Sequence, residues 1–215
     1  MVKKESLLIT LIFVLLIGCS GRPAREEVKV DRSLPVGKIE RNQFVGIRYP
    51  FRIEAPPHWK VTTEIPDFME GLGFGTEGLK SSQLFIFNPS THSNLQIDFE
   101  PAGRYAKFSQ AMIETLTSMV TEGVISEFKE EHGKDLQVET DPTERVYLKG
   151  VQYAAKKYVT FTLKGVKREQ GWIYAFTEPY QIFVLYVILE KEEAKSNDRE
   201  DMKKILASFE VIPKK

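Results

Sequence analysis

The sequence predicts an α+β fold, an antiparallel β-sheet flanked by helices on both faces. Three observations predict it. Strand-like alternation fills residues 44–100 and returns over 143–189, while helical periodicity is confined to 105–122 and 197–209. Helices segregated from strands in this way mark α+β architecture. The late strands are joined by short turns at Gly150 and Glu178-Pro179, so they are antiparallel neighbours. Tyr180 to Leu189 (YQIFVLYVIL) is apolar on both faces, which suits a central strand covered on each side.

The elements follow in order. Phe51 and Ile53 alternate with Arg52 and Glu54, a half-buried strand within Val45–Ala55 that Pro56-Pro57 ends. Trp59 opens a second short strand through Val61 and Ile65, and the glycine-rich residues 66–82 read as loop. Gln83–Asn88 and Leu95–Glu100 are strands, and Pro89, Ser90, Ser93 and Asn94 between them make the pair a hairpin. From Tyr105 to Glu122 the period changes: Phe108, Met112, Leu116, Met119 and Val120 fall on one helical face, and Gly123 is the expected end. Residues 124–142 read equally as helical extension or weak strand, closed by Asp141-Pro142. Arg145–Lys149 is a short strand. Tyr153, Ala155, Val159, Phe161 and Leu163 alternate along a long one, with Lys157 as the exception. Gly171–Thr177 carries Trp172, Tyr174 and Phe176 on one face. Asn197 and Glu200 suggest a variant capping box, and Met202, Ile205, Leu206 and Phe209 form the stripe of a last helix.

The N-terminus reads as an address. Lys3 and Lys4 give a positive start, Leu7 to Ile17 an apolar run, and Gly18 a small residue before Cys19. The run falls short of the ~20 apolar residues of a membrane-spanning helix. Leu16-Ile17-Gly18-Cys19 resembles the lipobox of bacterial lipoprotein precursors: an apolar residue, a tolerant position, a small residue, then cysteine. The resemblance implies cleavage between Gly18 and Cys19 and acylation of Cys19. Two or three acyl chains would anchor the protein almost permanently, at ~0.8 kcal/mol per buried CH₂. In enterobacteria-like sorting, Ser20 in place of an aspartate would favour delivery to the outer membrane; the expected place is the periplasmic face of the outer or inner membrane of a Gram-negative cell. Residues 1–18 are thus expected to be signal peptide. Residues 19–43 follow as lipidated cysteine and flexible tether, polar and nearly free of aromatics, holding the domain about 25 Å from the bilayer. Residues 44–215 form a single domain. A short strand at Val28–Val30 is the one element the tether offers.

Composition narrows the function. The chain carries 30 basic and 30 acidic residues, so nothing electrostatic calls for nucleic acid, and no polybasic cluster calls for anionic lipid. The single cysteine is Cys19. Committed to lipid, it serves neither as nucleophile nor as disulfide partner nor as metal ligand.

Within the domain, Tyr49-Pro50-Phe51-Arg52-Ile53 with Pro56 and Trp59, then Gly150-Val151-Gln152-Tyr153-Ala154, and finally Ile205-Leu206-Ala207-Ser208-Phe209 resemble the PsbP-like family. That fold occurs in an extrinsic subunit of the oxygen-evolving photosystem, in a Ran-binding nuclear import factor and in bacterial lipoproteins of the DcrB type. The resemblance implies an α/β/α sandwich with an antiparallel sheet between helical layers. It implies no shared catalytic residues and, for several members, work by binding other proteins. With the lipobox, the lipoprotein branch is the nearest likeness.

Candidate chemistry is thin. Gly73-Phe74-Gly75-Thr76-Glu77-Gly78 has the spacing of a dinucleotide loop, but lacks the strand before and the helix after that would aim a helix N-terminus at a pyrophosphate. His58, His92 and His132 fit no zinc spacing; Glu131, His132 and Asp135 are the nearest thing to a ligand set. Asp98 and Glu100 share one strand face, as paired acid/base or calcium-binding carboxylates would, yet the alternation with Ile97 and Phe99 already explains them as a solvent face. No G-x-S-x-G elbow is present. Trp172, Tyr174, Phe176 and Tyr180 read as core or as the lining of a groove. The expectation is therefore a non-catalytic, cofactor-free and metal-free monomeric domain in the cell envelope. It would be held to the membrane through Cys19 and dock another envelope protein around a sheet edge or the 66–82 loop. A carrier of an apolar ligand between sheet and helix, and a hydrolase or metal-dependent enzyme, are the alternatives.

Overall fold

The computed structural model describes residues 28–72, 79, 82–103, 107–163, 165–191 and 196–212. Leu16 to Ser20, Gly73 to Gly78 and the expected helix start at Tyr105 lie outside them.

Two antiparallel sheets stack face to face. The smaller has β1 (Gly37–Glu40), β2 (Gln43–Gly46), β3 (Phe51–Glu54) and β12 (Glu210–Val211), in that spatial order. The larger runs β4 (Lys60–Thr62), β5 (Leu84–Phe87), β6 (Asn94–Pro101), β11 (Tyr180–Lys191), β10 (Val166–Thr177), β9 (Tyr153–Leu163), β7 (Val138–Thr140), with β8 (Glu144–Arg145) also on β9. The segment read as a two-faced central strand is β11, between β10 and β6.

Each face of β11 buries a different layer. Ile182, Val184, Tyr186 and Ile188 join the main core with Phe44, Phe51, Phe99 and Phe209. There the Phe51 and Phe99 rings stack at 5.1 Å. That face is covered by the small sheet together with α2 (Asp198–Ser208), whose Met202 and Ile205 point inward. On the other face Phe183 and Leu185 meet α1 (Gln110–His132), which packs Val120, Val124, Ile125 and Phe128 over Val159, Phe161 and Trp172. Helices thus lie on both faces, as expected, and the small sheet shares one face with α2. Among the described residues no helix is long and apolar enough to cross a membrane.

Several elements differ from expectation. Order begins before Phe44: β1 pairs with β2, Val28, Val30 and Val36 pack against the main core, and Arg48 donates to the carbonyl oxygens of Leu34 (2.6 Å) and Arg32 (3.1 Å). The stretch read as tether therefore contributes structure, although Val28–Val30 itself forms no strand. β4 is shorter than expected, and Ile65 lies beyond it, exposed. Gly123 does not end α1, which runs on to His132 with Gly133 as its cap. A mid-helix glycine costs about 1 kcal/mol relative to alanine, and burial of Val124, Ile125 and Phe128 outweighs that. The buried stripe of α1 is Ile113, Thr117 and Thr121, whereas Met112 and Met119 are exposed. The threonines tolerate burial because each hydroxyl donates to the carbonyl one turn back, Thr117 to Ile113 and Thr121 to Thr117, both at 2.8 Å. Lys157, the exception on β9, is buried with its Nζ donating to Ser118 Oγ at 3.0 Å. Arg145–Lys149 is mostly irregular; Lys149 bridges Glu210 in parallel. Asn197 sits at the α2 N-cap, but its side chain makes no capping bond.

Candidate docking groove

The residues singled out from sequence do not converge. His58 Nε2 meets Asp201 Oδ2 at 2.8 Å, and Trp59 Nε1 donates to the same oxygen at 3.3 Å, fastening the approach to β4 onto α2. His92 stacks flat on Phe68 with centroids 4.5 Å apart. His132 closes α1, beside Phe128 and 3.9 Å from Glu131. Among the described residues no three His, Cys, Asp or Glu side chains gather as a metal site would require. Asp98 and Glu100 do share a face of β6, but each carboxylate accepts from a glutamine: Gln83 at 3.2 Å and Gln181 at 3.4 Å. The aromatic group is split. Trp172 packs under α1, Phe176 stacks on Phe108, Tyr174 donates to Gln181, and Tyr180 belongs to the main core on the opposite face. The strongest electrostatic perturbations are internal as well. Burial pushes Arg168, between the Phe128 and Phe161 rings, down to about 10.

Space opens instead at the edge of the large sheet. Among the described residues β4 pairs only with β5, and beside it runs a groove of about 630 Å³. One wall is the β1–β2 turn, Arg41 and Asn42; the other is Ile65 to Phe68. Arg41 takes φ 55°, a left-handed conformation uncommon for a side chain of its size. Asn42 holds this wall in place: its Nδ2 donates to the carbonyl oxygens of Pro56 (2.6 Å) and Trp59 (3.1 Å). Pro56-Pro57, read as a strand end, thus also supplies an acceptor that ties the two sheets together. Opposite, Phe68 lies between Phe87 (5.2 Å) and His92. A second hollow of about 560 Å³ continues over the same turn toward Glu54 and Pro57.

The groove offers exposed carboxylates and cations, apolar patches at Val61, Ile65 and Phe87, and an open strand edge. That set suits recognition of a polypeptide better than bond chemistry. The sequence marked a proline break and a short strand here. It gave no sign that Asn42 reaches across to Trp59.

No family model matches this chain, and no curated protein matches it. Among solved structures it is similar to the solution structure of cyanobacterial PsbP (CyanoP) from Synechocystis, with TM-score 0.52 and 9% identity, over 86% of this chain and 98% of that one. A crystal structure from Bacteroides thetaiotaomicron matches at TM-score 0.46 and 11% identity, over 82% of this chain and only 50% of that one. At such identities the likeness to CyanoP speaks for architecture alone, and the architecture of this chain is PsbP-like.

Proposed function

We propose that this chain is a lipoprotein of the cell envelope, held to the membrane by acyl chains on Cys19, whose PsbP-like domain docks another envelope protein without catalysing a reaction. In a Gram-negative cell it would face the periplasm from the outer or the inner membrane. The order of basic residues, apolar run, Gly18 and Cys19 supports the anchor. The groove beside β4 carries the docking reading, because it joins an open strand edge to apolar and charged side chains. A tether on the membrane side suits docking, since it keeps the domain concentrated near its partner. The carrier reading has less support: the interface between α1 and the sheet is filled by Phe161, Trp172 and Phe128.

The test is photocrosslinking in native membranes. A benzoylphenylalanine replaces Ile65 on the groove wall, or Lys167 at the distant β9–β10 end of the sheet. We expect a discrete protein adduct from position 65 and none from 167. Adducts of equal yield from both positions, or from neither, would refute docking at this groove.

A further inference from the structure

Resting on that reading, we infer that the occupant of the groove is an extended, net-basic segment of a partner protein that adds a strand to the large sheet at Val61. The hydrogen-bond phase of the sheet carries this. Asn88 N–H donates to Ser93 O at 2.9 Å across the β5–β6 hairpin. In an antiparallel ladder the N–H and C=O of one residue point to the same side, and the side alternates along the strand. Residues 84, 86 and 88 therefore turn toward β6, and Phe85 and Phe87 toward β4. There they meet Thr62 and Lys60. Val61, between those two, must aim both its N–H and its C=O away from β5, into the groove. The rung before it is already occupied: the Trp59 carbonyl, in the same phase, accepts from Asn42 Nδ2. Val61 is the next rung, and among the described residues nothing fills it.

Charge selects the segment. In the groove Glu64 and Asp67 stand against Arg41 and Lys60, and Glu40 and Glu54 in the hollow that continues over the turn add a negative surplus to the pair; among the described residues none of the six is in an ion pair. The surplus is negative, so basic side chains complement it. A three-residue edge strand carrying Lys60 resists pairing with a second copy of itself. The walls and the charge then decide what enters, rather than a long exposed edge.

The test replaces Val61 by proline in the full, lipid-carrying chain with the crosslinker at position 65. Proline removes the outward N–H and leaves the Lys60 and Thr62 bonds to β5 in place. Adduct yield should fall about tenfold, the worth of one main-chain bond at the upper end of its usual range. Val61→Ala, which keeps the N–H, should retain the yield. Sequencing of the adduct should return a net-positive segment of another protein. As a check independent of the variant, amide exchange at Val61 in the purified wild-type adduct should be slowed relative to the free chain. An unchanged yield with Val61→Pro, or unchanged exchange in the adduct, would overturn strand addition while leaving docking at the groove intact. An adduct on residues 20–27 of this chain, on a second copy, or on an acidic segment would overturn the identity of the occupant.

Discussion

Glu169 shows what this fold asks of a single charged residue. It sits on β10, buried, with Arg199 of α2 paired to it and reaching Glu190 at 3.1 Å. Burial is the larger influence and raises its pKa despite the arginine. A carboxyl whose folded pKa lies above its unfolded one binds more protons in the native state. Its contribution to stability is therefore greatest at low pH and declines as pH rises through and above the ordinary carboxylate range. Glu169→Gln removes that decline. In urea melts at a series of pH values, the variant should gain on the parent as pH rises from acid toward neutral. A constant difference across the series would contradict the buried-charge account. Partnerships of this kind had no signal in the sequence. His58 and Asp201 are 143 positions apart, Asn42 and Trp59 are 17, and no spacing rule links either pair.

At the scale of elements, strands were more legible than helices. Period-two alternation placed β3 and β9, which present one face to a dense apolar layer, and the run apolar on both faces placed β11 at the centre of the large sheet. The long helix was legible only in part. Its sequence stripe followed hydrophobicity, and the fold buries Thr117 and Thr121 instead of Met112 and Met119. A methionine stripe and a threonine stripe one position apart differ by about 100° of rotation; Ile113, Val124, Ile125 and Phe128, packed toward the sheet, fix the observed phase, and the threonines' bonds to preceding carbonyls make their burial tolerable. This phase predicts opposite outcomes for neighbouring variants. Ile113→Ala should cost about 2–4 kcal/mol, since Ile113 is fully buried. Met119→Lys should stay within about 0.5 kcal/mol, since Met119 is 62% exposed. Paired denaturant titrations will read both. A larger loss from the methionine would mean that α1 presents the other stripe. The sequence placed a strand break at Pro56-Pro57 and a short strand after it, but neither the sheet edge nor its chemistry was legible. The open rung at Val61 emerges only from the register of β4, β5 and β6.

The whole molecule combines a stacked pair of sheets, a helix on the outer face of the larger one, and an N-terminal sequence with the order of a lipoprotein leader. Because β1 and the segment from Val28 already pack on the domain, the 19–43 read from composition as tether overlaps folded structure from Val28 onward. On the proposed reading the groove therefore works close to the bilayer. The intact mass of the mature chain, extracted from native membranes in detergent, decides whether this picture of a tethered docking domain holds. The expected mass is that of residues 19–215 plus a diacylglyceryl group on Cys19, with or without a further acyl chain, and Cys19→Ala should leave the leader attached. A mature chain that retains residues 1–18, or one that begins elsewhere with an unmodified Cys19, would contradict it.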